Sequence, residues 1–194
     1  ILTWSLCSHA ENFERLLKHD DGMTAVCIGN PATAEFEVCR TSLLSSALKT
    51  LGASGNVSKP IKLFEVSDVV LLSNEKRVGA KNERRLVAVH CNKDSGFEVI
   101  HGLLNRLMEV MGVPLHPEKN AGGMCYDWKA EDHPTFFPGR HAIVHLNDEV
   151  IGEFGVVHPN VLVNFGIDYP VSALEINLHP FCFDQFFSKF ETRL

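Results

Sequence analysis

The 194-residue chain has no run of about 18 or more apolar residues, so no segment reads as a transmembrane helix. Nor does it begin with an initiator Met or a charged region leading into an apolar stretch. Ile1-Leu2-Thr3-Trp4 is therefore not a signal peptide and reads as a cut inside a longer chain. Cys7, Cys27, Cys39, Cys91, Cys125 and Cys182 are widely scattered, without a CxxC pair to chelate zinc or the density of a disulfide scaffold. Reduced core thiols in a cytosolic protein are the expectation. A Gly-x-Ser-x-Gly nucleophile elbow is missing, and Gly122-Gly123 lacks the following Gly or Lys-Ser/Thr of a phosphate loop. The chain also lacks a cationic excess: its formal net charge is −6, which argues against a free-standing nucleic-acid binder. Internal repeats, low-complexity tracts and long linkers are absent too, so residues 1–194 read as one domain.

What is present is a 45% hydrophobic composition, enough for a full core, and one stretch of clear pattern, residues 136–167. His141, Ile143 and His145 alternate with Ala142, Val144 and Leu146, the period of a two-faced strand. Asn147-Asp148 suits a tight turn, because both side chains tolerate left-handed backbone angles. The return run Glu149 to Val157 alternates again, with Gly152 and Gly155 allowing a bulge or a close backbone approach. His158-Pro159-Asn160 opens a short helix, which Gly166 closes.

The rest of the chain divides similarly. Leu2 to Leu6 reads as a strand, and Ser8-x-x-Glu11 as a capping box for a helix ending at Gly22. Met23 to Ile28 reads as a strand. Leu43, Leu44, Ala47, Leu48 and Leu51 keep a helical period, capped by Thr41 or Ser42 and stopped by Gly52. Lys62 to Leu72 and Arg84 to Cys91 predict a hairpin with a long polar tip. A second capping box, Ser95-x-x-Glu98, precedes the longest helix, whose buried stripe is Phe97, Ile100, Leu104, Leu107 and Met111. Met124 to Trp128 is a short strand in an otherwise irregular stretch. Val171 to Leu178 is a further strand, and Pro180 starts a final helix carrying Phe181, Phe183, Phe186, Phe187 and Phe190. Adjacent hairpins imply antiparallel pairing, hence an α+β fold with one antiparallel sheet flanked by helices.

Candidate chemistry is sparse. On a strand, His141 and His145 share a face but lie too far apart for one metal ion. Glu149 with Glu153, and Asp127 with Glu131 and Asp132, read as solvated carboxylates. Lys76, Arg77, Lys81, Arg84 and Arg85 form the one cationic cluster. It lacks interleaved aromatics and reads as a solvated or protein-contacting hairpin tip, with an RNA-backbone contact through Lys76, Arg77, Lys81 and Arg84 as the alternative.

In order, the blocks Asn30-Pro31, Arg40-Thr41-Ser42-Leu43-Leu44, Lys62-Leu63-Phe64-Glu65-Val66-Ser67-Asp68, Phe97 to Leu107, Phe137-Pro138-Gly139-Arg140, Gly152 to Pro159 and Leu174-Glu175-Ile176 resemble the C-terminal part of the β subunit of eukaryotic-type cytosolic phenylalanyl-tRNA synthetases. The resemblance implies a catalytic-like domain with the class II aminoacyl-tRNA synthetase fold, a cytoplasmic location, the catalytic α subunit as partner in a heterotetramer, and tRNA(Phe), ATP and magnesium for the holoenzyme. It also implies where an active site would place phosphate clamps: an arginine on a central strand, and a glycine-rich terminal segment ending in arginine. Guanidinium suits that task because its rigid fork pairs with phosphate oxygens. Phe64 to Leu72 contains no arginine, and Ser172 to Asn177 neither glycine nor arginine. No catalytic, cofactor-binding or metal residue is therefore assigned, and the domain is expected to be inactive alone, its function being to dock the α subunit.

Overall fold

The computed structural model describes residues 1–74, 77–115 and 124–182. In chain order its strands and α-helices are β1 (Leu6–Cys7), α1 (His9–Asn12), β2 (Val38–Cys39), α2 (Leu44–Ala53), β3 (Ile61–Leu72), β4 (Ala80–Cys91), α3 (Phe97–Val110), β5 (Tyr126–Ala130), β6 (Phe136–Leu146), β7 (Glu149–Val157), α4 (Pro159–Asn164), β8 (Val171–Asn177) and α5 (His179–Cys182). Six strands make one sheet in the order β3-β4-β8-β7-β6-β5, and every pairing is antiparallel. β1 and β2 form a separate two-stranded ribbon.

Strand alternation splits the apolar side chains between two layers. On β4, Val87, Val89 and Cys91 join Leu44 and Leu48 of α2 on one face, while Leu86 and Ala88 join Ile100, Leu104 and Met108 of α3 on the other. β8 lies between β4 and β7 and is buried from Val171 to Ile176. Each large aliphatic group sequestered this way contributes about 1.5–3 kcal/mol. Among the described residues no helix is long and apolar enough to cross a membrane.

The β6–β7 turn takes the left-handed angles expected of Asn147 and Asp148, with φ of 48° and 75°. The register shifts of that hairpin adjoin His141 and His145 on β6, while Gly152 and Gly155 serve close approach. A Cβ on Gly152 would sit 2.2 Å from the Glu175 carbonyl oxygen and 2.6 Å from Ile176 Cδ1. Gly152→Ala is accordingly expected to destabilise the fold by about 1–3 kcal/mol, measurable as a lowered urea midpoint; an unchanged midpoint would mean that the two strands separate freely.

Several local expectations are corrected. Ser8 and Glu11 do form the capping box, but α1 lasts one turn and a 3-10 turn, Glu14–Leu16, ends with Leu17 in the left-handed region, well before Gly22. Met23 to Ile28 supplies only two isolated bridges, through Ala25 and Cys27, and the N-terminal strand is reduced to Leu6–Cys7. At α3 the N-cap is Gly96 at φ 65°, without a side-chain cap. The Ser95 carbonyl instead accepts the Ser172 hydroxyl at 2.6 Å. β4 begins at Ala80, so the hairpin tip is shorter than expected and Lys81, Arg84 and Arg85 lie on the strand. Of the thiols, Cys7 and Cys91 are buried but Cys27 is exposed. Gly122-Gly123, Lys76 and the phenylalanines after residue 182 lie outside the described residues.

Candidate functional site

Polar side chains gather where β3, β4, β8 and β7 carry charge on the α2 side of the sheet. At the β3 edge, Arg40 is fully buried against a fully buried Glu65, with Nη1 donating to Glu65 Oε1 at 3.1 Å. Arg40 Nη1 also donates to Thr3 Oγ1 at 2.7 Å, Nη2 to Ser67 Oγ at 2.7 Å and Nε to the Asp68 carbonyl at 3.1 Å. Every nitrogen of that guanidinium has a protein acceptor.

In the centre, Arg85 donates through Nη1 to Glu175 Oε1 at 2.9 Å and through Nε to Glu83 Oε1 at 2.8 Å, and its Nη2 lies 2.7 Å from the same Glu83 oxygen. Glu175 in turn accepts the Ser42 hydroxyl at 2.6 Å and the amides of Leu43 and Leu44, each at 3.1 Å, from its Oε2. It thereby caps α2 together with Ser42, one of the two caps expected from sequence, whose hydroxyl oxygen also accepts the Leu44 amide at 3.1 Å. A carboxylate fits there because the first amides of a helix lack intrahelical acceptors and carry the positive end of its dipole. Glu83, Arg85 and Glu175 border a cavity of about 320 Å³ whose other walls include Glu153, Asn177, Ile143 and Ile151.

Glu153 stands directly across the ladder from Glu175, a like-charge pairing that is unfavourable unless each carboxylate has its own counter-charge. Glu153 finds His141 Nε2 at 3.1 Å and Lys18 Nζ at 3.6 Å. Burial disfavours its charge, but the His141 hydrogen bond and Lys18 hold its carboxyl down at about 2. His141 Nδ1 faces the Glu131 carbonyl oxygen at 2.5 Å. With acceptors at both nitrogens the charged form of the ring is favoured: burial pulls its pKa down, but Glu153 and the Glu131 carbonyl raise it overall. His133 beside it has its pKa lowered, chiefly by burial.

This pair makes stability pH-dependent. The depressed Glu153 adds stability that is complete above the ordinary carboxylate range and is lost as pH falls through about 2. The raised His141 adds stability that is complete below the ordinary histidine range and is lost as pH rises through its elevated value. Their joint contribution therefore peaks between about pH 4.5 and 6.5. Thermal midpoints measured across pH are expected to fall on both sides of that window and to fall less in Glu153→Gln; a variant profile parallel to the wild type would refute the assignment.

The other predicted positions are dispersed. His145 Nδ1 lies 3.3 Å from Asp127 Oδ1 without a hydrogen bond between them, so the two strand histidines adjoin different carboxylates. Glu153 is not the solvated carboxylate that its sequence context suggests. Arg84 pairs with Asp68, Lys81 lies 4.0 Å from Glu83, and Arg77 is exposed at the tip. Arg85 points to the face opposite Arg84, so these two cations lie on different faces of β4. Among the described residues no group of three or more His, Cys, Asp or Glu is placed to hold a metal ion. An ATP phosphate is a poor fit here, because the guanidiniums of Arg40 and Arg85 are already occupied by carboxylates.

Residues 1–178 match the family described as Phenylalanyl tRNA synthetase beta chain CLM domain. The phenylalanine–tRNA ligase beta subunit of Drosophila melanogaster is 48% identical over 180 residues, covering 93% of this chain and 30% of that protein. The human subunit is 46% identical over the same length with the same coverage, and the Arabidopsis thaliana subunit, named cytoplasmic, is 46% identical over 185 residues. The chain thus spans about a third of the length of the relatives it matches, 30% in each case. In fold it is similar to a pyrrolysyl tRNA synthetase of Desulfitobacterium hafniense, with a TM-score of 0.66 and 9% identity over 92% of this chain and 59% of that one. At that identity the likeness is one of fold, and it agrees with a class II synthetase-like architecture.

Proposed function

This chain belongs to the phenylalanyl tRNA synthetase beta chain CLM domain family, and on that basis we propose that it is a non-catalytic, synthetase-like module that docks the catalytic α subunit in a heterotetramer charging tRNA(Phe) with phenylalanine. Its single-domain organisation, its place toward the C-terminal end of a longer β subunit and its cytoplasmic location are parts of the same proposal. The observation that carries it is the state of Arg85. This guanidinium faces the central cavity, where a phosphate clamp would be useful, yet Glu83 and Glu175 occupy it. To hold a phosphate it would have to give up two carboxylates, the half-buried Glu83 and the buried Glu175, which also caps α2. Adenylate chemistry, with ATP and magnesium, then falls to the α subunit.

The β subunit purified without α is expected to give no phenylalanine-dependent ATP–pyrophosphate exchange, and to bind α stably when the two are mixed. Exchange above background would sink the inactive reading, and absence of α binding by a folded β subunit would sink docking. The exposure of Arg77 favours one alternative, a tRNA-backbone contact through Lys76, Arg77, Lys81 and Arg84. Charge reversal at Lys76, Arg77 and Lys81 would then weaken tRNA binding by the holoenzyme and lower its salt slope by about one for each phosphate no longer neutralised. Unchanged binding removes this alternative.

A further inference from the structure

Between α3 and β3, on the sheet face opposite the Arg85 cavity, runs an apolar groove of about 340 Å³. Phe64 and Val99 line it at 65% and 45% exposure, together with Leu103, Leu107 and Ala88. A phenylalanine so exposed on a strand beside an open trough is costly in water and marks a surface that binds something. Among the described residues, the lining carries one charged side chain, the exposed Lys62, and no carboxylate.

These features select the occupant. A second copy would bring the same concave groove and the same Lys62 to the interface, with no carboxylate from either lining to meet it, because a two-fold interface uses one patch twice. A convex, apolar ridge bearing negative charge fits instead. We propose that the groove seats an amphipathic helix of the α subunit, with aliphatic side chains at i, i+3 or i+4, and i+7 against the floor and a carboxylate beside Lys62. The assignment rests on the docking reading above and adds to it the surface through which docking occurs.

The test uses the full β subunit and α subunit. In β carrying Val99→Cys, alkylation of the new thiol, followed by mass spectrometry of its peptide, is expected to slow roughly tenfold once α is added. Phe64→Asp is expected to weaken α capture roughly tenfold, and Lys62→Glu to weaken it less and mainly at low salt. Val163→Asp, at a position exposed on α4 over the other sheet face, is expected to leave capture unchanged. Unslowed alkylation with normal capture overturns the groove and leaves docking standing. Failure of unsubstituted β to bind α overturns docking and the groove together. Slowing in β alone also overturns the proposal: dependence on concentration would identify a second copy, and independence another part of the same chain. Should Phe64→Asp prevent folding, the alkylation result alone decides.

Discussion

Arg40→Met is expected to lower the unfolding free energy by about 3–5 kcal/mol, because it strands a fully buried Glu65 without its counter-charge. Methionine replaces the volume and the aliphatic stem but none of the donors. Glu65 would keep only the Thr3 amide, at 3.2 Å, and the Thr3 hydroxyl, at 2.7 Å. Ser67 and the Asp68 carbonyl lose a donor as well. Adding Glu65→Leu removes the orphaned charge, so the double variant is expected to recover most of the loss, as buried pairs replaced whole are often neutral. Urea unfolding of the single variants and the double variant closes a cycle that separates the pair's coupling from the cost of leaving one charge behind. A loss below about 1 kcal/mol in Arg40→Met would show that Glu65 is protonated or hydrated rather than ion-paired. The backbone of Arg40 ties the same region, its amide bonding the Ser5 carbonyl and its carbonyl accepting from Val70. Local fraying of residues 1–7 should therefore accompany the loss.

Arg40 also marks where sequence reading stops. In one dimension it stands before a helix, and its partners at positions 3, 65 and 67 are unrelated to it by any period. What periodicity does carry is local. The alternation of 141–146 and the Asn-Asp turn produced β6 and its hairpin, and the stripe Ile100, Leu104 packs α3 on the sheet. Caps were legible only where both partners lie within one turn. Ser8 and Glu11 satisfy that condition. Ser95 and Glu98 have the same spacing, but the Ser95 carbonyl is engaged by Ser172 and the helix starts from a left-handed Gly96. The residues of the candidate site fared likewise. Arg85 looks like one more cation of a polar tip until the β4–β8 ladder places it beside Glu175, and no local signal separates it from Arg84 on the opposite face.

The second large effect is expected at Glu175, where even Glu175→Gln should cost about 3–5 kcal/mol. Glutamine keeps size and shape, so the loss isolates charge and hydrogen-bond polarity. Both carboxylate oxygens face donors: Oε1 faces Arg85 Nη1 and the Leu43 amide, and Oε2 faces the Ser42 hydroxyl and the amides of Leu43 and Leu44. Whichever way the amide turns, its NH2 meets another donor, and Arg85 keeps one carboxylate instead of two. The start of α2 should loosen with it, since the Leu43 amide loses its side-chain acceptor and the Leu44 amide keeps only Ser42 Oγ, at 3.1 Å. Amide exchange at Leu43 and Leu44 is expected to quicken more than exchange in α3, which Glu175 does not touch. Equal quickening in both helices would mean global destabilisation without a capping role, and unchanged exchange at Leu43 and Leu44 would refute the cap. The placement matters for the proposed role. Glu175 lies in the terminal segment where an active synthetase-like site would need arginine, and here that segment supplies an anion that neutralises Arg85 and anchors α2. The same substitution thus separates two origins of the proposed inactivity. If Glu175→Gln frees Arg85 and the subunit then binds ATP, the site is merely quenched. If the fold loosens and ATP still does not bind, the phosphate clamp has been converted into structure.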